Sequence, residues 1–317
     1  MDRKFQLTIL AACLASVANG CIFGLFGNRV QGAGASTSTQ VEIGPFNSIR
    51  VGSVASVELH QGTATSQLDL TIDTAWQEHI KIETVDGRLS IGVKDGTTLE
   101  CSSGRTCAFN VVVQTPSLVE VDAGGACTVQ TADGTSFNNE AAMMIQAGGA
   151  ADVDVATSPT DEVRVEGGGA ARVKVRGGSP RGVFRMGGDC VLDAESLVVS
   201  SLDADLGGSS SVSAVQVQRQ GAQPNAVSAS SSGASQLSLA GTADSARFGG
   251  SGAGKIVGDG FAAPEVEVDA SGASEITSGV STRLHGSVSG SAAVYYIGNP
   301  TTHEVQISGS GKVEKKG

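Results

Sequence analysis

Apolar and polar residues alternate along most of this chain in short runs, and the alternation restarts at nearly regular intervals. Val163-Arg164-Val165 and Val266-Glu267-Val268-Asp269 are examples, as are Val153-Asp154-Val155 and Val173-Lys174-Val175. A period of two predicts β-strands with one buried face. Between such runs lie small corners: AGGACTV, AGGAADV, GGGAARV, MGGDCVL, LGGSSSV, SSGASQL, GSGAGKI, ASGASEI, VSGSAAV and ISGSGKV. Nowhere does the spacing of a long amphipathic helix occur.

The corners form a repeat when the second residue of each small pair is taken as anchor. The anchors are Gly125, Gly149, Gly169, Gly188, Gly208, Gly233, Gly252, Gly272, Gly290 and Gly309, spaced 24, 20, 19, 20, 25, 19, 20, 18 and 19 residues apart. Each is preceded by Gly or Ser, and all but one are followed by Ala or Ser, Asp189 being the exception. Four residues on stands an aliphatic every time: Val129, Val153, Val173, Leu192, Val212, Leu237, Ile256, Ile276, Val294 and Val313. A unit this short cannot bury its own apolar side, so successive units must stack into one core. Each unit is expected to be two strands joined by a tight corner, with the aliphatics forming one buried column. Gly permits unusual backbone angles there, and small side chains permit close stacking. The expected fold is therefore all-β: a single-stranded parallel β-helix, or β-solenoid, with about 20 residues per rung. Stacking at about 4.8 Å per rung makes a rod roughly 43 Å long.

Residues 116–317 hold the ten regular rungs, and residues 41–115 are expected to form an irregular N-terminal β region that begins the solenoid. Strand candidates there include Val57-Glu58-Leu59, Leu68-Asp69-Leu70, Ile80-Lys81-Ile82 and Val111-Val112-Val113, with turns at Asp86-Gly87 and Asp95-Gly96 and Trp76 placed to cap the end. Residues 1–20 have the form of an export signal, with Arg3 and Lys4 ahead of an apolar stretch from Phe5 to Ala18. Cys21 ends that stretch at a workable length and is the expected lipidation point, ordinary secretion being the alternative. Cys13 has the better local sequence but leaves too short an apolar core. Residues 21–40, rich in Gly, Ala, Ser and Thr, are expected to be a flexible tether.

Composition sharpens this picture. Aromatics are only 4% of the chain while 44 of 317 residues are Gly, so Val, Ile, Leu, Ala and Ser must fill the core. The net charge of −11 argues against nucleic acid or anionic lipid as a partner. An exported chain can form disulfides. Cys101 and Cys107 flank a five-residue loop and are expected to pair. Cys127 and Cys190 lie three rungs apart, about 14 Å, beyond the roughly 7 Å that a disulfide spans, and are expected to be buried thiols.

The order of segments resembles the putative auto-transporter adhesin, head GIN domain family. The resemblance begins at Phe46-Asn47-Ser48-Ile49-Arg50-Val51 and passes through Val57-Glu58-Leu59-His60-Gln61-Gly62 and Val85-Asp86-Gly87-Arg88-Leu89-Ser90-Ile91. It then follows the small corners and closes on Tyr295-Tyr296-Ile297-Gly298-Asn299-Pro300. The first five corners depart from the family by using Gly-Gly in place of Ser-Gly. The resemblance implies a β-helix-like fold in an exported, often envelope-tethered protein, and it carries no catalytic residues.

No chemistry-bearing constellation competes with that expectation. His60, His79, His285 and His303 are scattered without metal-ligand spacing. The segment Gly148 to Val155 is similar to calcium-binding β-roll repeats, which need a nine-residue period and an Asp in every turn; here Arg172, Val191, Ser211 and Lys255 replace Asp152. A polysaccharide-cleaving β-helix would need long loops, and only the two longest spacings hold extra residues, Ser136-Phe137-Asn138-Asn139 and Gln220-Gly221-Ala222-Gln223-Pro224. The expected function is a non-catalytic, adhesin-like binding module at the cell envelope, as an outer-membrane lipoprotein or at the cell surface, contacting an unidentified protein or glycan. It needs no cofactor or metal and meets the membrane only through its lipid. The alternatives are a structural or assembly accessory protein and, less favoured, a glycan-active β-helix enzyme. Tyr295 and Tyr296 are the candidate aromatic contact patch, and a terminal cap explains them equally well.

Overall fold

Alternating strands interrupted by small corners can bury their apolar side only by stacking turn on turn. The computed structural model, which describes residues 28–63, 67–102, 106–137, 142–158, 160–219 and 225–316, shows that stack. It is nearly all β, with a 3-10 turn at Gln77–His79, and winds through about nine parallel turns roughly 20 residues apart. Residues 1–27, which include the expected export signal and Cys21, lie outside the described residues.

Each regular turn has a pre-corner strand, a corner and a post-corner strand. Glu162–Gly167 leads into the corner at Gly169, and the chain continues from Arg172. A third leg, not anticipated from the repeat, then turns the chain back: Gly177-Gly178-Ser179 pairs with Leu197-Val198-Val199, and Val198-Val199 pairs with Gln216-Val217. This leg is short and glycine-broken, with positive φ at Gly177 and Gly241, and so leaves little alternation to detect.

Register follows the aliphatic column. Val129 pairs with Val153, then Val173, Leu192, Val212, Leu237, Ile256, Ile276, Val294 and Val313 in unbroken succession. From Val129 to Val294 these side chains are at most 2% exposed. Val313 is only half-buried, because among the described residues it stacks on Val294 alone. Inward residues of the pre-corner strands, such as Val165, Phe184, Phe248 and Val268, complete the same core. Cys127 and Cys190 are free and buried within it, while Cys101 and Cys107 are disulfide-bonded.

The N-terminal region departs from simple winding. Ser48–Val51 and Ser56–Gln61 form a regular turn whose corner is Gly52-Ser53, and Glu120–Ala123 and Thr128–Thr131 stack on it in parallel. On its other side lie Arg88–Val93 and Phe109–Thr115, so stacking order is not chain order. Antiparallel strands then close this end: Ile80–Val85 on Arg88–Val93, Gln67–Asp73 on Phe109–Thr115, and Ser36–Glu42 on Gln67–Asp73. The region 41–115 is thus a turn of the solenoid together with a cap.

The tether expected over residues 21–40 is corrected over its described part. Asn28–Gln31 pairs in parallel with Thr97–Glu100, and Ser36–Glu42 is a strand of the cap. Its Ser/Thr run is polar because that strand is largely exposed, so composition could not separate it from a linker. The buried Asp73 carboxylate accepts the amides of Ala33 and Gly34 at 2.9 and 2.7 Å and fixes the turn between the two strands. Trp76 is 3% exposed, and its indole N–H donates to the Val30 carbonyl at 3.2 Å.

Two predictions follow from packing. Val173→Asp or Ile256→Asp places an unpaired charge in a dry column and abolishes cooperative unfolding, whereas Arg172→Ala and Lys255→Ala shift stability by less than about 1 kcal/mol. Gly169→Ala costs about 1–3 kcal/mol through its left-handed backbone alone; urea titration distinguishes these cases. In peptide mapping, Cys101 and Cys107 are recovered linked. Cys127 and Cys190 alkylate only after denaturation, since burial raises both thiols, Cys190 to about 11. A peptide linking Cys127 to Cys190 contradicts the stack.

Candidate functional site

With the inward positions committed to the core, chemistry can vary only on the outward positions. Those of the pre-corner strands form columns that run the length of the rod. One column passes through Arg164, Val183, Asp203, Ser228, Arg247, Glu267, His285 and Glu304. Beside it run Glu162, Arg181 and Ser201, continued further along by Ala226, Ser245, Glu265 and Arg283.

Opposite charges on neighbouring turns pair across this face. Arg88 bonds Glu120 at its N-terminal end, Arg185 bonds Asp203 at 2.8 Å, Arg247 reaches Glu267 and Asp269 at 3.4 and 3.3 Å, and Arg283 bridges Glu265 and Glu304 at 3.3 and 3.0 Å. A hydrogen bond from the Ser48 hydroxyl, with the Arg88 guanidinium, holds the Glu120 carboxyl below its usual range. Arg185 does the same for Asp203. Cross-strand pairs of this kind contribute a few tenths to about 1 kcal/mol each and set register more than stability.

The face has open depressions, one of them over Asp122, Gln146, Glu166 and Arg185 near the corners and another further along the rod. Where other turns project Arg, Glu or Asp, the strands Ala226–Ser231 and Ser245–Gly250 present Ala226, Ser228, Ser230, Ser245 and Gly249. The result is an open hollow of about 560 Å³, bounded by Arg181, Ser201 and Asp203 on one side and by Arg247, Glu265, Glu267 and His285 on the other. His285 lies 3.4 Å from Glu265 at its rim. No Phe, Tyr or Trp lines it.

The other candidates stay apart. The corner glycines lie on a different edge of each turn and have φ between 63° and 83°. Tyr295 and Tyr296 stand on the post-corner strand Ala293–Ile297, with Lys312 over the Tyr295 ring at 4.9 Å and the Tyr296 ring tilted against His303 at 5.5 Å. His60 pairs with Glu58 at 3.0 Å, and His79 ends the 3-10 turn. Among the described residues, no three His, Cys, Asp or Glu side chains gather in a group able to hold a metal ion. Asn138, Asn139 and Gln220 to Pro224, the extra residues of the two long spacings, lie outside the described residues. The hollow was missed from sequence, although its signal is present: Ala226-Val227-Ser228-Ala229-Ser230 lacks the charges that Asp203 and Asp205 place at the matching outward positions.

Fold and face together define a parallel β-solenoid with a capped N-terminal end and an ion-paired outer sheet interrupted by an open hollow. The chain belongs to the putative auto-transporter adhesin, head GIN domain family, whose model matches residues 45–223 and 213–300. A putative adhesin from Parabacteroides distasonis ATCC 8503 has the same fold, with 19% identity and a TM-score of 0.51 over 91% of this chain and 100% of its own. A putative lipid binding protein from the same strain shares 19% identity, with a TM-score of 0.50 over 92% of this chain and 100% of its own. Comparison with curated proteins gives no match.

The Arg88–Ser48–Glu120 cluster yields a pH prediction. A carboxyl depressed in the folded state adds stability that is present above its unfolded value and lost as pH falls through its folded one. Glu120→Gln is therefore less stable than wild type at pH 7, and the difference shrinks as the medium is acidified below the ordinary carboxyl range. Urea midpoints at pH 7 and pH 3 check this; a gap that is unchanged or wider at pH 3 contradicts it.

Proposed function

We propose that the protein is exported, lipid-anchored through Cys21, and acts at the cell envelope as a non-catalytic, adhesin-like binding module. Membership of the adhesin family supports the general role. The observation that carries the non-catalytic reading is the pairing of the acids around the hollow. Asp203 is held by Arg185, Glu267 by Arg247 and Glu265 by Arg283. A glycan-hydrolysing site of the usual two-carboxylate kind needs one carboxyl kept protonated near neutral pH by burial or by a like charge. Here the arginine beside Asp203 pushes its carboxyl the other way. A fixed array of paired charges on a rigid sheet suits recognition by contact.

The cap changes how such an anchor would present the rod. Because Asn28 already lies in a strand, at most seven residue steps separate it from Cys21, a reach of about 25 Å. The capped end then faces the membrane, and the outer face stands alongside the rod and away from it.

Fractionation and adhesion assays test this proposal. Wild-type protein is expected in the envelope fraction with an acyl label that Cys21→Ala abolishes, and beads coated with the solenoid are expected to adhere to a cell or matrix surface. Recovery of wild type as a soluble, unlabelled protein sinks the anchor. Polysaccharide depolymerisation that is lost in Asp203→Asn sinks the non-catalytic reading.

A further inference from the structure

The hollow is more specific than the face around it. Arg181, Ser201 and Ser245 follow one another in one outward column, with Ala226 between the two serines, and Glu265 closes the series. Arg181 and Glu265 are four turns apart, about 19 Å at 4.8 Å per turn. Between them no large side chain rises from that column, so the hollow is a trough along the rod, as deep as the missing side chains are long. Its floor is rigid sheet, so a bound molecule orders no loop.

The chemistry of the walls selects among ligands. Among the described residues the hydroxyls of Ser228 and Ser245 have no protein partner, so both can donate and accept. Arg181 and Arg247 donate; Asp203, Glu265 and Glu267 accept. Two guanidinium groups against three carboxylates leave no positive excess to hold a polyanion. The aliphatic side chains beneath the trough, Leu202 and Val227, are committed to the core at 2% exposure each, and no Phe, Tyr or Trp lines it, so it offers little apolar surface to an acyl chain or an aromatic ring. What remains is a ligand that is itself an array of groups both donating and accepting hydrogen bonds.

Building on the binding-module reading, we infer that the trough over Ala226, Ser228 and Ser245 binds an uncharged oligosaccharide lying along the solenoid axis. Successive sugar hydroxyls meet successive turns, with Asp203 and Glu267 accepting and Arg247 donating along one edge, and Arg181 donating at one end. Individual contacts of this open, wet kind are weak, and affinity comes from repetition along the trough or from several anchored copies on one surface.

Plugging the trough separates this inference from the general reading. Ala226→Arg, and independently Ser228→Lys, restore the long outward side chains that neighbouring turns already carry, and thermal unfolding checks that each variant folds. Gln236→Arg, exposed on the post-corner strand of the same turn, is the control. The probes are neutral oligosaccharides of three to six sugars and uronate-bearing oligosaccharides of equal length, on an array and in titration calorimetry. Wild type and Gln236→Arg are expected to bind one or more neutral members, and both plugged variants to bind them at least tenfold more weakly. No binding of neutral sugars by wild type, preference for uronates, or binding that survives both plugs overturns the inference. Bead adhesion by the same variants keeps the two levels apart. Adhesion lost on plugging while no sugar binds leaves the binding module standing with a protein as its occupant, and removes the oligosaccharide.

Discussion

The rest of the structure depends on one hydrogen bond repeated at every corner. The amide after each anchor donates to the anchor carbonyl of the neighbouring turn: Ala150 to Gly125, Ala170 to Gly149, Asp189 to Gly169 and so on to Ser310 and Gly290, at 2.7–2.8 Å. To make that bond the anchor takes a left-handed backbone, and a Cβ there would lie between 2.6 and 3.0 Å from the same carbonyl oxygen. Glycine is therefore required twice over at each of these positions, by backbone angle and by clearance. Ser53 shows the rule at its limit. It has φ of 65° and begins the column, where the turn beyond it, carried by Arg88–Val93, presents no corner, so its side chain has room.

This constraint decides where variation is tolerated. Corners must stay small and inward positions apolar, while outward positions answer only to cross-turn charge and to whatever the surface contacts. A fold shared at 19% identity is what such a division of roles produces. It also explains why the hollow costs the core nothing: the replacements at Ala226, Ser228, Ser245 and Gly249 all lie outside it. The two ends differ for the same reason. Antiparallel strands and Trp76 cover the first turns, whereas the last turn leaves Ile307 52% exposed and is edged by Lys312 and Lys315, which discourage further strand pairing.

Where corner and column recur together, the fold was legible in the sequence. Gly149 with Val153, or Gly252 with Ile256, states both the turn and its buried face, and repetition fixes the register. What could not be read lacked one of those signals. The corner at Ser53 has no glycine at its anchor, and 72 residues separate it from Gly125, because the cap is inserted between two adjacent turns. The strand Ser36–Glu42 carries its identity in long-range pairing with Gln67–Asp73, which local composition does not encode. The hollow arises from what is missing on two neighbouring turns, and it emerges only when outward columns are compared turn by turn.

Native-state hydrogen exchange at the corners tests the account most directly. The amides of Ala150, Ala170, Asp189, Ser209, Ala234 and Ala253 sit in glycine- and serine-rich turns at the surface, where exchange would ordinarily be fast. If the inter-turn bonds hold the stack together, these amides are protected to nearly the same degree as the buried strand amides beside them, with protection falling toward Ser310 at the open end. Corner amides that exchange as quickly as those of ordinary exposed turns, beside protected strands, would contradict it.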